Sequence, residues 1–143
     1  MIINGPNMNM LGIREPDIYG KKTYSELCDY IKDEAYALGT DVTFFQSNHE
    51  GDLVDAVQRA YFEKYDGIII NPAAYTHTSI ALRDAVAAVN IPTAEVHLSD
   101  ISEREDFRRT SPISDVCTLT VKGLGFEGYK EAMTKLKKYI LNI

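Results

Sequence analysis

Basic residues are in short supply in this 143-residue chain: 15 Lys and Arg stand against 21 Asp and Glu, for a formal charge of −6 and an isoelectric point near 5.0. Neutralising a phosphate backbone takes clustered cations, so nucleic acid is not an expected partner. A small anion remains an acceptable ligand, because a few local donors hold one inside an acidic protein. Cysteine is scarce as well. Cys28 and Cys117 form no CxxC pair and share no metal-ligand spacing with histidine, so the expectation is two free thiols in a reducing, cytoplasmic compartment. No apolar run approaches the roughly 20 residues of a membrane span. No basic stretch leads into an apolar core near Met1, so the reading is a soluble chain that is not exported. The GxSxG elbow of serine hydrolases is missing. His49, His77 and His97 lack a third ligand at a spacing suited to zinc.

What is present is an alternation of short β-branched runs with amphipathic stretches. Ile2-Ile3, Val42 to Phe45, Gly67 to Asn71, Thr93 to His97 and Thr118 to Val121 read as strands. Tyr24, Leu27, Cys28, Ile31, Ala35 and Leu38 recur at helical spacing behind a Thr23/Glu26 capping box, and Gly39 closes that helix. A second helix shows Leu53, Val54, Val57, Ala60 and Tyr61 on one face, a third runs from Ser79 to Val89, and a last one carries Tyr129, Met133, Leu136 and Ile140. Gly67-Ile68-Ile69-Ile70 is apolar without alternation, as a strand covered on both faces should be. The pattern predicts one α/β domain over residues 1–143 with five parallel strands and helices on both faces, free of linkers and repeats.

In such a sheet ligands lie beyond the carboxyl ends of the strands, near the point where strand order reverses. Asn4 and Asn7 follow the first strand, Asn71 ends the third, and Glu95 and His97 end the fourth, with Leu98 and Ser99 after them. From the first of these ends departs a long loop, Asn4 to Gly20, in which no helix is expected before Thr23. Gly12 and Gly20 bracket Arg14 and Tyr19 as permissive points of a flap, one that delivers charged groups or else a solvated surface loop. Glu95 and His97, two apart on a strand, share a face, so the carboxylate is placed to fix the imidazole tautomer of an acid, or simply to pair with a buried histidine. His77 opens the third helix among Thr76, Thr78 and Ser79, where capping is the plain alternative to ligand binding. His49 reads as loop structure. A phenol ionises near pH 10, and a nearby arginine lowers that value, which makes the Arg14 and Tyr19 pair a candidate base. The GxGxxG match at Gly123 to Gly128 is rejected as a nucleotide site, since only 15 residues follow it; close packing of the last helix on the sheet is expected instead.

Taken together these residues resemble the type II dehydroquinases, the 3-dehydroquinate dehydratases of aromatic biosynthesis. The resemblance rests on Ile3-Asn4-Gly5-Pro6-Asn7 through Arg14-Glu15-Pro16 to Tyr19-Gly20, on Gln46-Ser47-Asn48 with Glu50-Gly51, and on Ile70-Asn71-Pro72-Ala73-Ala74-Tyr75-Thr76-His77-Thr78-Ser79. It continues through Leu82-Arg83-Asp84, Glu95-Val96-His97-Leu98-Ser99, Arg104-Glu105, Phe107-Arg108-Arg109, Gly123-Leu124-Gly125 and Gly128-Tyr129. It implies a flavodoxin-like fold with sheet order 2-1-3-4-5 and an anti elimination of water through an enolate, with no metal, cofactor or Schiff-base lysine. It further implies Tyr19 as proton acceptor, Arg14 as stabiliser of the transition state, Asn7 at the enolate oxygen or its water, and His97 as proton donor oriented by Glu95. Asn71, Leu98 and Ser99 are implied at the substrate carboxylate and ring, His77 and Arg108 at its hydroxyls, and Asp84 at the site of a neighbouring subunit in trimers that build a dodecamer.

Some positions depart from the family pattern. Only Met1-Ile2-Ile3 precede the first motif, so a short first strand and a weaker core are expected. Met8 and Met10 replace leucines, Asp100 stands where asparagine is frequent, and Thr110 where histidine is common. These changes are expected to soften packing and alter affinity while leaving the chemistry in place. The rival reading is a non-catalytic small-anion-binding module on the same fold, since fold alone does not fix function. A phosphoacceptor version of it calls for acids where the chain has Asn4 and Asn7, and a flavin version for a Ser/Thr-rich loop there.

Overall fold

The computed structural model describes the backbone of residues 1–143 and every side chain except that of Tyr19. Five strands, β1 (Ile2–Asn4), β2 (Phe44–Gln46), β3 (Ile68–Asn71), β4 (Thr93–His97) and β5 (Leu119–Lys122), form one parallel sheet in the order β2-β1-β3-β4-β5. Around them lie α1 (Pro16–Tyr19), α2 (Tyr24–Ala37), α3 (Glu50–Phe62), α4 (Ile80–Val89) and α5 (Glu127–Leu141). This is the doubly wound order expected. From β1 the chain steps outward to β2, then crosses back over β1 through α3 to β3 and continues on that side to β4 and β5, which puts the reversal point between β1 and β3.

Two apolar layers follow from the period-2 alternation of strands. Ile2, Ile69, Ala94, Val96 and Val121 pack with Leu27, Ile31 and Ala35 of α2 and with Tyr129, Met133 and Leu136 of α5. Ile3, Ile68 and Ile70 face Leu53 and Val57 of α3 and Leu82 and Val86 of α4. The unbroken isoleucine run of β3 is thus divided residue by residue between the two layers. β1 is only three residues long, yet all three are buried and paired on both sides, Ile2 with Phe44 and Ile69, Asn4 with Gln46 and Asn71.

Helix starts behave as their caps dictate. Thr23 Oγ1 accepts the amide of Glu26 at 3.2 Å and Ser79 Oγ that of Leu82 at 2.9 Å. Gly39, at φ +65°, closes α2 as expected. Several expectations need correcting. β2 starts at Phe44 rather than Val42 and runs to Gln46. Tyr61, counted on the apolar face of α3, is exposed and stacks edge-on against Phe62. The long first loop is partly helical, with a 3-10 turn at Met8–Met10 and the single turn of α1, where Pro16 fits the first helical position. Gly12 is less a free hinge than a close contact: at φ +85°, a Cβ there would lie 2.8 Å from the Lys21 carbonyl oxygen. The flap therefore returns to its own base.

The Gly123–Gly128 segment is also only partly as expected. Gly128 does abut the sheet, with room for a Cβ only at 3.4 Å from Val96. Gly123 and Gly125 instead have φ of +80° and +58°, so their role is the left-handed turn between β5 and α5.

Candidate active site

Beyond the carboxyl ends of β1, β3 and β4 lies a cleft lined by Asn7, Arg14, Asn71, His77, His97, Leu98, Ser99 and Arg108, and additionally by Pro6, Met8, Leu11, Ala73, Ala74, Ile101 and Arg104. The first eight are sequence candidates that the fold brings together. Among the described lining residues none is acidic and three are arginines. In a protein of net charge −6, that local reversal of sign makes the cleft a receptor for an anion.

The floor is set where β1 meets β3. The Gly5 amide donates to the Asn71 carbonyl at 2.8 Å, and Gly5 sits so close to Pro72 that a Cβ would fall 2.4 Å from its carbonyl oxygen. Asn71 Oδ1 accepts the amide of Ala73 at 3.1 Å, and its Nδ2 points to Met8 Sδ at 3.5 Å. Ala73 and Asn7 both take left-handed backbone conformations, φ +54° and +67°, of the kind that concentrates at functional sites. The Asn7 amide is held by Asn48 Oδ1 at 3.0 Å, while Gln46 Nε2 donates to the Gly5 carbonyl and to Asn48 Oδ1, each at 3.2 Å. Gln46 and Asn48 thus support the floor from β2. Nothing in the sequence assigns either residue a role; the signal that points to them is the pair of amides around the end of β2.

Asn4 is a correction. It shares the face of Ile2, so it turns away from the cleft, with its Oδ1 accepting from Tyr129 OH at 2.6 Å and its Nδ2 reaching Tyr24 OH at 3.3 Å. Burial, against the Asn4 hydrogen bond, pushes the Tyr24 phenol up to about 12.

β4 delivers the most organised pair. Glu95 and His97 project on the face opposite Ala94 and Val96, and His97 Nε2 lies 2.8 Å from Glu95 Oε1. Read as a donor to the carboxylate, Nε2 carries the proton and Nδ1 is the nitrogen left for the cleft. Glu95 is fully buried, yet its carboxyl is held below the ordinary value: burial opposes ionisation, and His97, Ser111 and Ser114 outweigh it. Ser111, Ser114 and Thr120 were not singled out from the sequence.

The rim comes from the segment after β4. His77 Nδ1 meets the Thr110 carbonyl at 2.7 Å, so Thr110 acts through its backbone. Glu105 Oε2 stands 3.1 Å from Arg108 Nε and 3.7 Å from Arg104 Nε, which fixes both guanidinium groups at the edge. Arg104 also donates to Ser99 Oγ at 3.2 Å; its position in a charged loop does not by itself mark it as a cleft residue. Arg14 has Glu15 at 3.8 Å. Asp100 caps Ser102 and faces Lys122 at 3.7 Å, on the outside of the cleft. Asp84 does not line this cleft. It is exposed on α4 beside Arg83. The candidate base Tyr19 lies, as a side chain, outside the described residues. His49 is exposed ahead of α3 and does not line the cleft. Among the described residues no cluster of His, Cys, Asp and Glu would hold a metal ion, and no helix is long and apolar enough to cross a membrane.

Comparison with known proteins agrees with this geometry. Residues 1–137 match the family model described as dehydroquinase class II. A 3-dehydroquinate dehydratase of Clostridium perfringens is 54% identical over 140 residues, covering 98% of this chain and 96% of that one. One from Bacillus licheniformis is 54% identical over 134 residues, covering 94% and 92%. The solved type II dehydroquinase of Butyrivibrio crossotus superimposes with a TM-score of 0.93 at 47% identity, covering 95% and 94% of the two chains. The sheet order, the cleft at its reversal point and these matches together make the chain a member of the class II dehydroquinase family.

Proposed function

We propose that this protein is a 3-dehydroquinate dehydratase, a hydro-lyase that converts 3-dehydroquinate to 3-dehydroshikimate and water in the shikimate route to aromatic amino acids. The observation that carries the reading is the buried Glu95–His97 pair opening onto a cleft with three arginines and no described acid. A polyhydroxylated ring carboxylate suits such a cleft, and the pair supplies a proton donor at its wall.

The reaction divides among the named residues. Tyr19, as phenolate, takes a proton from the carbon beside the ketone, and Arg14 favours both that phenolate and the enolate charge. Asn7 holds the water or donor at the enolate oxygen. The electron pair then expels the hydroxyl, which leaves as water with the proton given by His97. Asn71, Leu98 and Ser99 hold the carboxylate and ring, and His77 and Arg108 the remaining hydroxyls. Asp84 faces away from its own cleft, which fits a contribution to a neighbouring copy in trimers that assemble into a dodecamer. Two unpaired thiols, Cys28 and Cys117, accord with a cytoplasmic setting.

The test is ultraviolet detection of the conjugated enone when purified protein meets 3-dehydroquinate, in excess chelator and after borohydride treatment with substrate. Turnover is expected to survive both. Tyr19→Phe and His97→Ala are each expected to lose about 10² to 10⁴ in rate while keeping the same assembly in solution. Folded protein that binds 3-dehydroquinate without turning it over would instead be the non-catalytic anion-binding module.

A further inference from the structure

Glu95 is the only carboxylate in the described core with no exposed surface, and its surroundings explain how a charge is tolerated there. A carboxylate offers about four acceptor positions, two on each oxygen. Oε1 receives His97 Nε2 at 2.8 Å and Ser111 Oγ at 2.5 Å; Oε2 receives Ser114 Oγ, in a very short contact, and Thr120 Oγ1 at 3.1 Å. All four positions are filled. Protonating Glu95 would replace an acceptor with a donor and force one of those partners to turn away, so the arrangement selects the ionised form.

The local sequence builds this ring of hydroxyls economically. Thr120 is the register partner of Glu95 on β5. Ser111 is the extended residue just before the 3-10 turn Pro112–Val116 and Ser114 lies within it, and the turn brings both hydroxyls onto the carboxylate. Pro112 at the first position presets the turn. The same segment accepts His77 through the Thr110 carbonyl, so one strap touches a rim histidine at one end and the buried carboxylate at the other.

We propose that Ser111 and Ser114, with Thr120, are positioning residues of the dehydration, whose hydroxyls keep Glu95 a carboxylate and so keep His97 aimed and competent to give its proton. This rests on the reading of His97 as the proton donor. The other titratable neighbours do not do this work. Cys117 faces Glu95, but burial first and the Glu95 charge second push its thiol up to about 12, so it remains neutral. On β5, Lys122 is taken up by Asp100, Asp115 is exposed beside the strap, and Arg83 and Asp84 of α4 pair at the surface. On β3 the register partner is apolar, Ile70.

The test follows Glu95 directly, by infrared titration of the full-length protein's carboxyl C=O band, assigned as the band that Glu95→Gln removes. In the wild-type protein the protonated band should be less than half developed at pH 4.3, where an ordinary glutamate is about half protonated. In S111A/S114A its midpoint should rise by about one pH unit or more. In the enone assay the double variant should lose about tenfold in kcat at pH 7 with KM changed less than threefold, and its low-pH limb should move upward by the same shift as the band. Ser111→Thr and Ser114→Thr, which keep the hydroxyl, should retain wild-type profiles. A wild-type band that titrates at or above 4.3 overturns the proposal, even if the double variant does not fold. So does a double variant with unmoved band and limb. A shifted band alongside full turnover of His97→Ala would leave the hydroxyl ring standing and refute the donor assignment instead.

Discussion

Replacing Gly5 with alanine tests the floor of the cleft more sharply than any change to a polar group. A Cβ built at Gly5 meets the Pro72 carbonyl oxygen at 2.4 Å, its carbon at 2.7 Å and the Asn71 carbonyl oxygen at 3.2 Å, against an ordinary contact of 3.4 Å or more. All three are backbone atoms, so no side chain can rotate to relieve them. The β1 and β3 loops must part by about 1 Å, stretching the Gly5 to Asn71 hydrogen bond and moving Asn7 away from Asn71. Overpacking of this kind costs about 1–3 kcal/mol, which for a chain of this size lowers Tm by roughly 2–4 °C per kcal/mol. A displacement of about 1 Å in a positioned constellation costs about 100-fold in rate. Scanning calorimetry and the enone assay read the two effects separately. The control is Gly51→Ala: a Cβ at Gly51 meets nothing within 4 Å, and the position is inside α3, so that variant should be unchanged or stabilised by up to about 1 kcal/mol. A Gly5→Ala protein that melts with the wild type and turns over within threefold of it would refute the reasoning.

Ala73 holds φ +54° beside the cleft, a conformation that costs a residue with a Cβ about 1 kcal/mol; Ala73→Gly should raise Tm by about 2–4 °C, and a lower Tm in calorimetry would contradict this. Tyr129→Phe leaves Asn4 Oδ1 without its 2.6 Å donor in a fully buried site and should cost about 1–3 kcal/mol in urea unfolding; a loss under 0.3 kcal/mol would show that another donor takes over. Tyr24 is held neutral in the folded state by burial, with its phenol near 12. Its contribution is therefore complete below the free value of about 10 and is lost as pH rises through 12, which ellipticity and phenolate absorbance at alkaline pH should report together. Glu95 has the opposite sign: with its carboxyl held below the ordinary value despite burial, it stabilises fully above the ordinary carboxylate value and loses that contribution as pH falls through the lower folded one. Acid unfolding of S111A/S114A should accordingly begin at higher pH than in the wild type.

The parts of the fold that were legible in the sequence are those written in local periodicity. The Ile68–Ile70 run declared a strand covered on both faces, and Thr23 and Ser79 marked the helix starts that the structure shows. Asn7, Asn71 and His97 were legible as cleft residues because they lie at or just past strand ends, where the topology must bring them together, whereas Arg108 was pointed to only by the family resemblance and Arg104, deep in the β4–β5 connection, was not. Less legible was anything that depends on which face a residue takes at the end of a three-residue strand. Asn4 and Asn7 look equivalent as neighbouring amides, but Asn4 is still in β1 and follows Ile2 onto the α2/α5 face, while Asn7 has left the strand in a left-handed conformation. The hydroxyl ring was invisible for a different reason. Serines at 111 and 114 and a threonine at 120 are ordinary loop and strand residues until the β4–β5 register and the 3-10 turn place them on one carboxylate.

That register also explains how one strand serves both core and chemistry. Along β4 the even positions, Ala94 and Val96, are apolar and close the layer under α2 and α5, while the odd positions, Thr93, Glu95 and His97, face the other way. A carboxylate in that second row is costly to bury unless its acceptors are saturated. The β4–β5 pairing can supply only one donor, Thr120, and β4 itself only one more, His97. The remaining two must come from a segment that crosses over the strand, which is the work of the strap from Thr110 to Val116. A shorter connection between β4 and β5 would close the sheet equally well but would leave Glu95 with two of its four partners. That connection thus serves the chemistry on both counts, saturating the Glu95 carboxylate at one end and carrying the rim arginines Arg104 and Arg108 at the other.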